Sequence, residues 1–316
     1  MNEAVKIRQF PVEKPESTVL KALAYFDLFD YPLTREEIRC FAEIELSNEE
    51  LDAALIRLLF ANAITRMDRF FSLRNDHALV QRRINGNQRA QDVLPKALRA
   101  GRFLYRFPFV KAVGISGSLS KQFADEKADF DFFIITRRNR LWIARTMLHL
   151  FKKLTYLAGR QHQFCMNYFV DEAALLIEEQ NLYSAIEIAT LIPVAGAPAF
   201  DRFFQLNSWI HKWLPAAKMP NDEWSKDREH SMKRRVENAV EMLPADGLDD
   251  RLLQLTTDRW KRKERIGARN VKGNRMNLIT GKHFSKSDPD SFQSRLMSLY
   301  QSRLASTRSR WPQFFE

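Results

Sequence analysis

Two aspartates, Asp129 and Asp131, stand two positions apart in the segment Ala128-Asp129-Phe130-Asp131-Phe132. In an extended strand, residues i and i+2 share a face, so this spacing sets both carboxylates side by side while Phe130 and Phe132 enter a core. Adjacent carboxylates repel unless a cation lies between them. Hard divalent cations such as Mg²⁺ or Mn²⁺ prefer carboxylate and phosphate oxygens. Two of them can hold the attacking and leaving oxygens of an in-line displacement. Eleven residues upstream of Asp129 ends a second group, Ser116-Gly117-Ser118. A glycine there lets the backbone approach a phosphate closely. A helix opening at Ser118 would direct free N–H groups at an anion. Ser120 and Lys121 follow within a turn, and Lys121 carries a charge able to neutralise phosphate.

These residues need a frame, and the flanking sequence predicts one. Phe109 to Ile115 is a strand, Ser118 to Ala124 a short helix and Asp129 to Thr136 a second strand. Leu141 to Leu157 is an amphipathic helix and Gln163 to Val170 a third strand. Leu182 to Ile192 is a further helix that Pro193 stops. Such alternation implies a small mixed sheet covered by helices, an α+β class. Upstream, residues 1–15 are expected to be an arm. Residues 16–76 carry three helix signals, two of them opened by the capping boxes Thr34/Glu37 and Ser47/Glu50, and then a hairpin over Ile64 to Leu73. This order resembles a winged helix-turn-helix domain. Its third helix starts Asn48-Glu49-Glu50 and continues with Asp52, with Arg57 the only cation before the wing, so phosphate repulsion favours a structural or protein-binding role over DNA reading. Residues 77–107 are connecting helices, basic on one side. Residues 201–316 are expected to be a helical region with helices at Asp201 to Leu214 and Asn221 to Leu243, followed by a less regular basic tail.

With that frame, the Gly-Ser turn and the Asp-Phe-Asp segment resemble the signature of the DNA polymerase beta-type nucleotidyltransferase superfamily, in its minimal branch. That signature is a hydrophobic residue before Gly-Ser, a spacer, and then Asp-hydrophobic-Asp-hydrophobic. The match covers roughly residues 108–195, within an expected nucleotidyltransferase core over 108–200. Ser116 departs from it, standing where a bulkier residue is common. The resemblance implies a Mg²⁺- or Mn²⁺-dependent enzyme that moves a nucleoside monophosphate from a triphosphate such as ATP to an acceptor hydroxyl. Asp129 and Asp131 would be its catalytic metal ligands, and Gly117, Ser118, Ser120 and Lys121 its nucleotide-binding residues.

Many members of that superfamily place a third acid on a later strand. Here that strand, Gln-Phe-Cys-Met-Asn-Tyr-Phe-Val, has none. Asn167 occupies the mid-strand position. Asp171 follows at the strand end with the same parity, and Glu187 is the only acid in the apolar helix Leu-Tyr-Ser-Ala-Ile-Glu-Ile-Ala-Thr-Leu-Ile. Three outcomes stay open: Asp171 substitutes, an acid such as Glu187 reaches in, or the chain binds nucleotide without transferring it. A structural ion pair to an arginine accounts for Glu187 equally well. The alternative function is thus a catalytically reduced fold of this type acting as a nucleotide-binding, nucleic-acid-binding or regulatory protein.

Composition narrows the partners. The chain has 316 residues and a formal net charge of +11. From Thr257 to Glu316 there are 14 Lys and Arg against 5 Asp and Glu, so nearly all of the excess lies in the last fifth. Concentrated positive charge attracts nucleic acid or an acidic protein face. No apolar run reaches the length of a membrane helix, and the first residues lack the apolar stretch of a secretory signal. Cys40 and Cys165 are the only cysteines, too few for a disulfide scaffold or a cysteine-rich zinc site, so a reducing cytoplasm is expected. No P-loop and no nucleophile elbow is present.

Overall fold

The computed structural model describes residues 13–126, 129–156, 164–220, 231–242, 244–269, 273 and 275–316. Most of the expected arm, residues 221–230 and 243 of the expected helix Asn221 to Leu243, and Lys127 and Ala128 of the spacer lie outside these residues. The fold is mixed α+β. The chain divides into two compact units, residues 1–81, 211–217 and 298–316 forming one and residues 82–210 and 218–297 the other.

In the first unit the order is α1 (Pro15–Asp27), β1 (Leu33–Thr34), α2 (Arg35–Cys40), α3 (Asn48–Phe60), β2 (Thr65–Met67) and β3 (Phe70–Ser72). Both capping boxes form: Thr34 and Ser47 each accept the N3 backbone N–H, and Glu37 and Glu50 each reach back to the cap backbone. Each box satisfies helix-end donors that water would otherwise have to bind. The strands form one antiparallel sheet with β3 central. Leu20, Leu23, Phe26, Ile38, Leu51, Leu55, Leu58 and Phe70 make its core. Asp27, nearly sealed from solvent, is held by Arg74 and Arg303.

The second unit is built on a six-stranded sheet. Its strands are β4 (Val110–Ser116), β5 (Asp131–Thr136), β6 (Cys165–Asp171), β7 (Ile192–Ala195), β8 (Leu278–Thr280) and β9 (Phe284–Ser287). Their spatial order is β7-β4-β5-β6-β9-β8, with β5 and β6 parallel and every other neighbouring pair antiparallel. A long helix, α4 (His77–Tyr105), precedes the sheet. The other helices are α5 (Gly117–Ser120), α6 (Leu141–Tyr156), α7 (Leu182–Ala189), α8 (Ala197–Leu206), α9 (Ser231–Glu241), α10 (Ala245–Arg265) and α11 (Phe292–Arg310).

Alternation along the strands gives the sheet two different faces. On one, Val113, Ile115, Phe132, Ile134, Met166 and Phe169 form a continuous core with Leu104 of α4 and with Leu141, Trp142 and Leu148 of α6. On the other, Phe133 packs against Tyr168 and against Phe203 of α8. A methyl at Gly114 would come within 3.0 Å of the Phe200 ring, so the absent side chain is what admits α8.

Several expectations are corrected. The second strand starts at Asp131, not Asp129. Pro193 does not simply stop a helix: α7 ends at Ala189, and Pro193 lies inside β7, an edge strand where its missing N–H is tolerated. The expected helix Asp201 to Leu214 is instead the end of α8 and a 3-10 turn over Ser208–Lys212. The described part of residues 201–316 is mostly helical, but it is not helical throughout. It contributes β8 and β9 to the sheet, and the C-terminal end of α11 belongs to the first unit. Among the described residues no helix is long and apolar enough to cross a membrane.

Candidate functional site

The sheet register brings the two halves of the motif together. Ser116, the last residue of β4, pairs with Asp131, the first of β5. Gly117 then turns with φ +71°, a conformation that L side chains avoid. A Cβ placed on it would lie 2.5 Å from Asp131 Oδ2. Glycine is required twice over, by the dihedral and because the Asp131 carboxylate rests against its Cα.

The turn is tied from several sides. The Gly117 carbonyl accepts hydrogen bonds from Ser120 Oγ (2.9 Å) and Lys121 Nζ (3.1 Å). Lys121 also pairs with Glu187 Oε1 at 2.7 Å. The Ser120 hydroxyl lies 3.4 Å from that of Thr190. Ser116 makes no side-chain cap on α5, so the first N–H groups of this one-turn helix depend on partners outside it. On β6, Asn167 donates from Nδ2 to Asp131 Oδ1 at 2.5 Å, and Cys165 Sγ lies 3.1 Å from Asn167 Oδ1.

The structure thus gathers Gly117, Ser118, Ser120, Lys121, Asp131, Asn167 and Glu187 at one end of the strands. Asp129 lies in the loop before β5, so the shared-face argument from strand parity does not hold for it. Asp171 is displaced more fundamentally. β5 and β6 run parallel, with Asp131 opposite Cys165 and Thr136 opposite Asp171. Five strand steps, about 17 Å, separate it from the turn. It is 0% exposed and accepts bonds from the backbone N–H of Asn139 and of Ala173, with His283 Nδ1 at 2.8 Å. Asp171 is a structural carboxylate, and its candidacy as the third acid ends there. Glu187 does reach the site, through Lys121 rather than an arginine. Among the described residues no three His, Cys, Asp or Glu side chains are grouped as metal ligands.

One participant escaped the sequence. Tyr183 is held well above the usual phenol range, by burial first and then by the negative charges of Glu187, Asp131 and Asp288. Its hydroxyl stays protonated. It stands four residues before Glu187, on the same face of α7, which was a usable signal. Asp288, just beyond β9, gave none. Its approach depends on a strand that pairs with β6 from the far end of the sequence. Lys286 of β9 extends the polar surface, bonding Gln293 and standing 5.6 Å over the Tyr168 ring.

A comparison with family models, with curated proteins and with solved structures finds no match to this chain.

Proposed function

We propose that the chain is a divalent-metal-dependent nucleotidyltransferase that moves a nucleoside monophosphate from a nucleoside triphosphate to an acceptor hydroxyl. The observation carrying this reading is the apposition of Asp131 and the Gly117 turn, which sets a carboxylate beside the start of a helix that the Ser116 side chain leaves uncapped. The donor set fits Mg²⁺ or Mn²⁺: Asp131, with Asp129 close by in sequence, offers hard oxygens, and Mg²⁺ commonly takes one or two carboxylates plus substrate phosphates. Such an ion, when bound, neutralises charge on the transferring phosphoryl group. In this reading the N–H groups of Gly117 and Ser118 bind the triphosphate. Lys121 holds the Gly117 carbonyl in place rather than reaching for phosphate, because Glu187 already engages it. Asn167 orients the Asp131 carboxylate.

That last bond also favours a second reading. An amide, which is no base, stands where relatives of this type carry an acid, so the site would bind a triphosphate without transferring it. One experiment separates the two. Purified full-length chain, Mg²⁺ and labelled triphosphates are incubated with short RNA and with the chain alone. Transfer predicts a labelled acceptor, and a loss of roughly a hundredfold or more in Asp131→Asn with the melting temperature preserved. Triphosphate binding that Asp131→Asn abolishes, without label on any acceptor, selects the second reading. Full activity in Asp131→Asn ends the assignment of Asp131 as a metal ligand.

Residues 15–72 are read as a winged-helix-like module, supported by the order α1-β1-α2-α3-β2-β3 with β3 central. We assign it a protein-binding or structural role. Arg35 is paired with Asp52 and Arg57 with Glu16, while Glu49 and Glu50 open α3. Little positive charge remains there for phosphate.

A further inference from the structure

The face of the sheet opposite Asp131 holds a different cluster. Arg145, on α6, is 7% exposed. Its guanidinium lies 5.4 Å from the Trp142 ring and 5.9 Å from the Phe169 ring. Its buried Nε has no hydrogen-bond partner, and among the described residues no carboxylate pairs with it. One turn on, His149 lies 6.1 Å from the same Phe169 ring, with Nε2 buried and unpartnered. Ser285 of β9 pairs across the sheet with Phe169 and so shares its face. It is 1% exposed, and its Oγ also has no partner. Three orphaned polar groups therefore surround one phenylalanine.

The charge around them has one sign. Burial, then the positive charges of Arg145, Lys152, Lys153 and Lys263, hold His149 well below its ordinary pKa, so it is neutral at physiological pH. Burial, then Arg259 and Lys153, lower Lys263. Burial alone brings Arg145 down to about 10. Among the described residues, none of Arg145, Lys152, Lys153, Arg259 and Lys263 has a carboxylate within ion-pair distance, although half-buried cations elsewhere in this unit do. A sealed cation without a counter-charge is costly and is ordinarily paired or coordinated. An arginine fork, a neutral imidazole and a hydroxyl, rimmed by lysines, match the geometry and charge of a phosphate group.

We propose that Arg145, His149 and Ser285 form a phosphate-binding site beneath α6, with Lys152, Lys153, Arg259 and Lys263 as its cationic rim. The phosphate comes either from the free anion or from a nucleic-acid strand lying along α6 and α10, where Trp260 stands beside Lys263 at 4.7 Å. This site lies on the other face of the sheet from Asp131 and does not depend on the transferase reading.

The test is titration of the full chain, by calorimetry and thermal shift, with inorganic phosphate and separately with single-stranded RNA of about ten nucleotides. Both are run against a chloride control and repeated in Asp131→Asn. Saturable binding is expected to weaken about tenfold in Arg145→Gln and to persist in Asp131→Asn. A loss confined to RNA in Lys153→Ala/Lys263→Ala identifies the strand as the source. A phosphate response in that double variant equal to wild type identifies the free anion. Ser285→Ala and His149→Phe repeat the measurement should Arg145→Gln fail to fold. No saturable binding of either probe, or binding unchanged in every variant of the three core residues, overturns the proposal.

Discussion

The two faces of the six-stranded sheet solve opposite electrostatic problems, and only one of them is solved from within. Around the Gly117 turn, charges of both signs are present. Lys121 meets Glu187, Asp131 meets an amide donor, and Tyr183 keeps its proton among carboxylates. Under α6, among the described residues, the cations stand without acids in ion-pair distance. The contrast is sharpest between two arginines five residues apart. Arg140 sits between Glu241 and Asp246, held bidentate by the first at 2.9 Å, and its charge is strengthened. Arg145 is more deeply buried and has no such partner. In the phosphate-site proposal, an internal acid marks a charge kept for structure, and its absence marks one kept for a ligand.

The comparison breaks first at Gly117. Gly117→Ala puts a Cβ against Asp131 Oδ2 in a strained dihedral, so the carboxylate must shift. Denaturant unfolding should show a loss of about 2–3 kcal/mol, with nucleotide binding abolished and phosphate binding under α6 intact. If both sites fail together, they are not separate. Next, Arg145→Met removes the uncompensated charge while keeping much of the volume. Without phosphate the variant should be more stable than wild type by about 1–3 kcal/mol, and the advantage should shrink as phosphate is added. A destabilised variant in both buffers shows the guanidinium to be internally satisfied.

The third test uses pH. Asp249 of α10 accepts the Ile143 N–H at the start of α6, and burial raises its pKa to about 6 from an ordinary 3.8. The folded state then holds a proton that the unfolded state releases, so this group's contribution falls as pH rises from about 4 to about 6. His149 acts in the other sense: its folded pKa lies below the ordinary 6.5, so stability falls as pH drops through that value. Asp249→Asn keeps the acceptor and removes the charge. Stability curves between pH 4 and 6 should lose a slope worth about 2 kcal/mol. An unchanged slope would show Asp249 to be solvated.

Much of this was legible where the signal is local. The capping boxes depend on residues three apart and formed as the sequence indicates. The Gly-Ser turn and Asp131 were marked by side-chain type and by strand–helix alternation. What failed depended on partners distant in the chain. Asp129 looked strand-like by composition, yet β5 begins only where Ser116 offers Asp131 a pairing partner. Asp171 has the right parity, but direction decides its place: β6 runs parallel to β5 and carries it to the far end. Ser285 and Lys286 read as part of a polar tail until β9 pairs with β6, which turns one inward beside Phe169 and the other over Tyr168. Three-residue strands carry too little periodicity to be recognised without their neighbours.

The pairing of β6 with β9 also bears on how the protein is made. A chain emerges from its N-terminus, and over a hundred residues separate Asp171 from Phe284. At ordinary elongation rates that interval lasts on the order of ten seconds. Throughout it, the outer edge of β6 presents unpaired backbone groups beside Phe169 and Tyr168, a template for adhesion to another nascent chain. Until the last strands arrive, protection in that window has to come from a chaperone or from collapse of the chain already made.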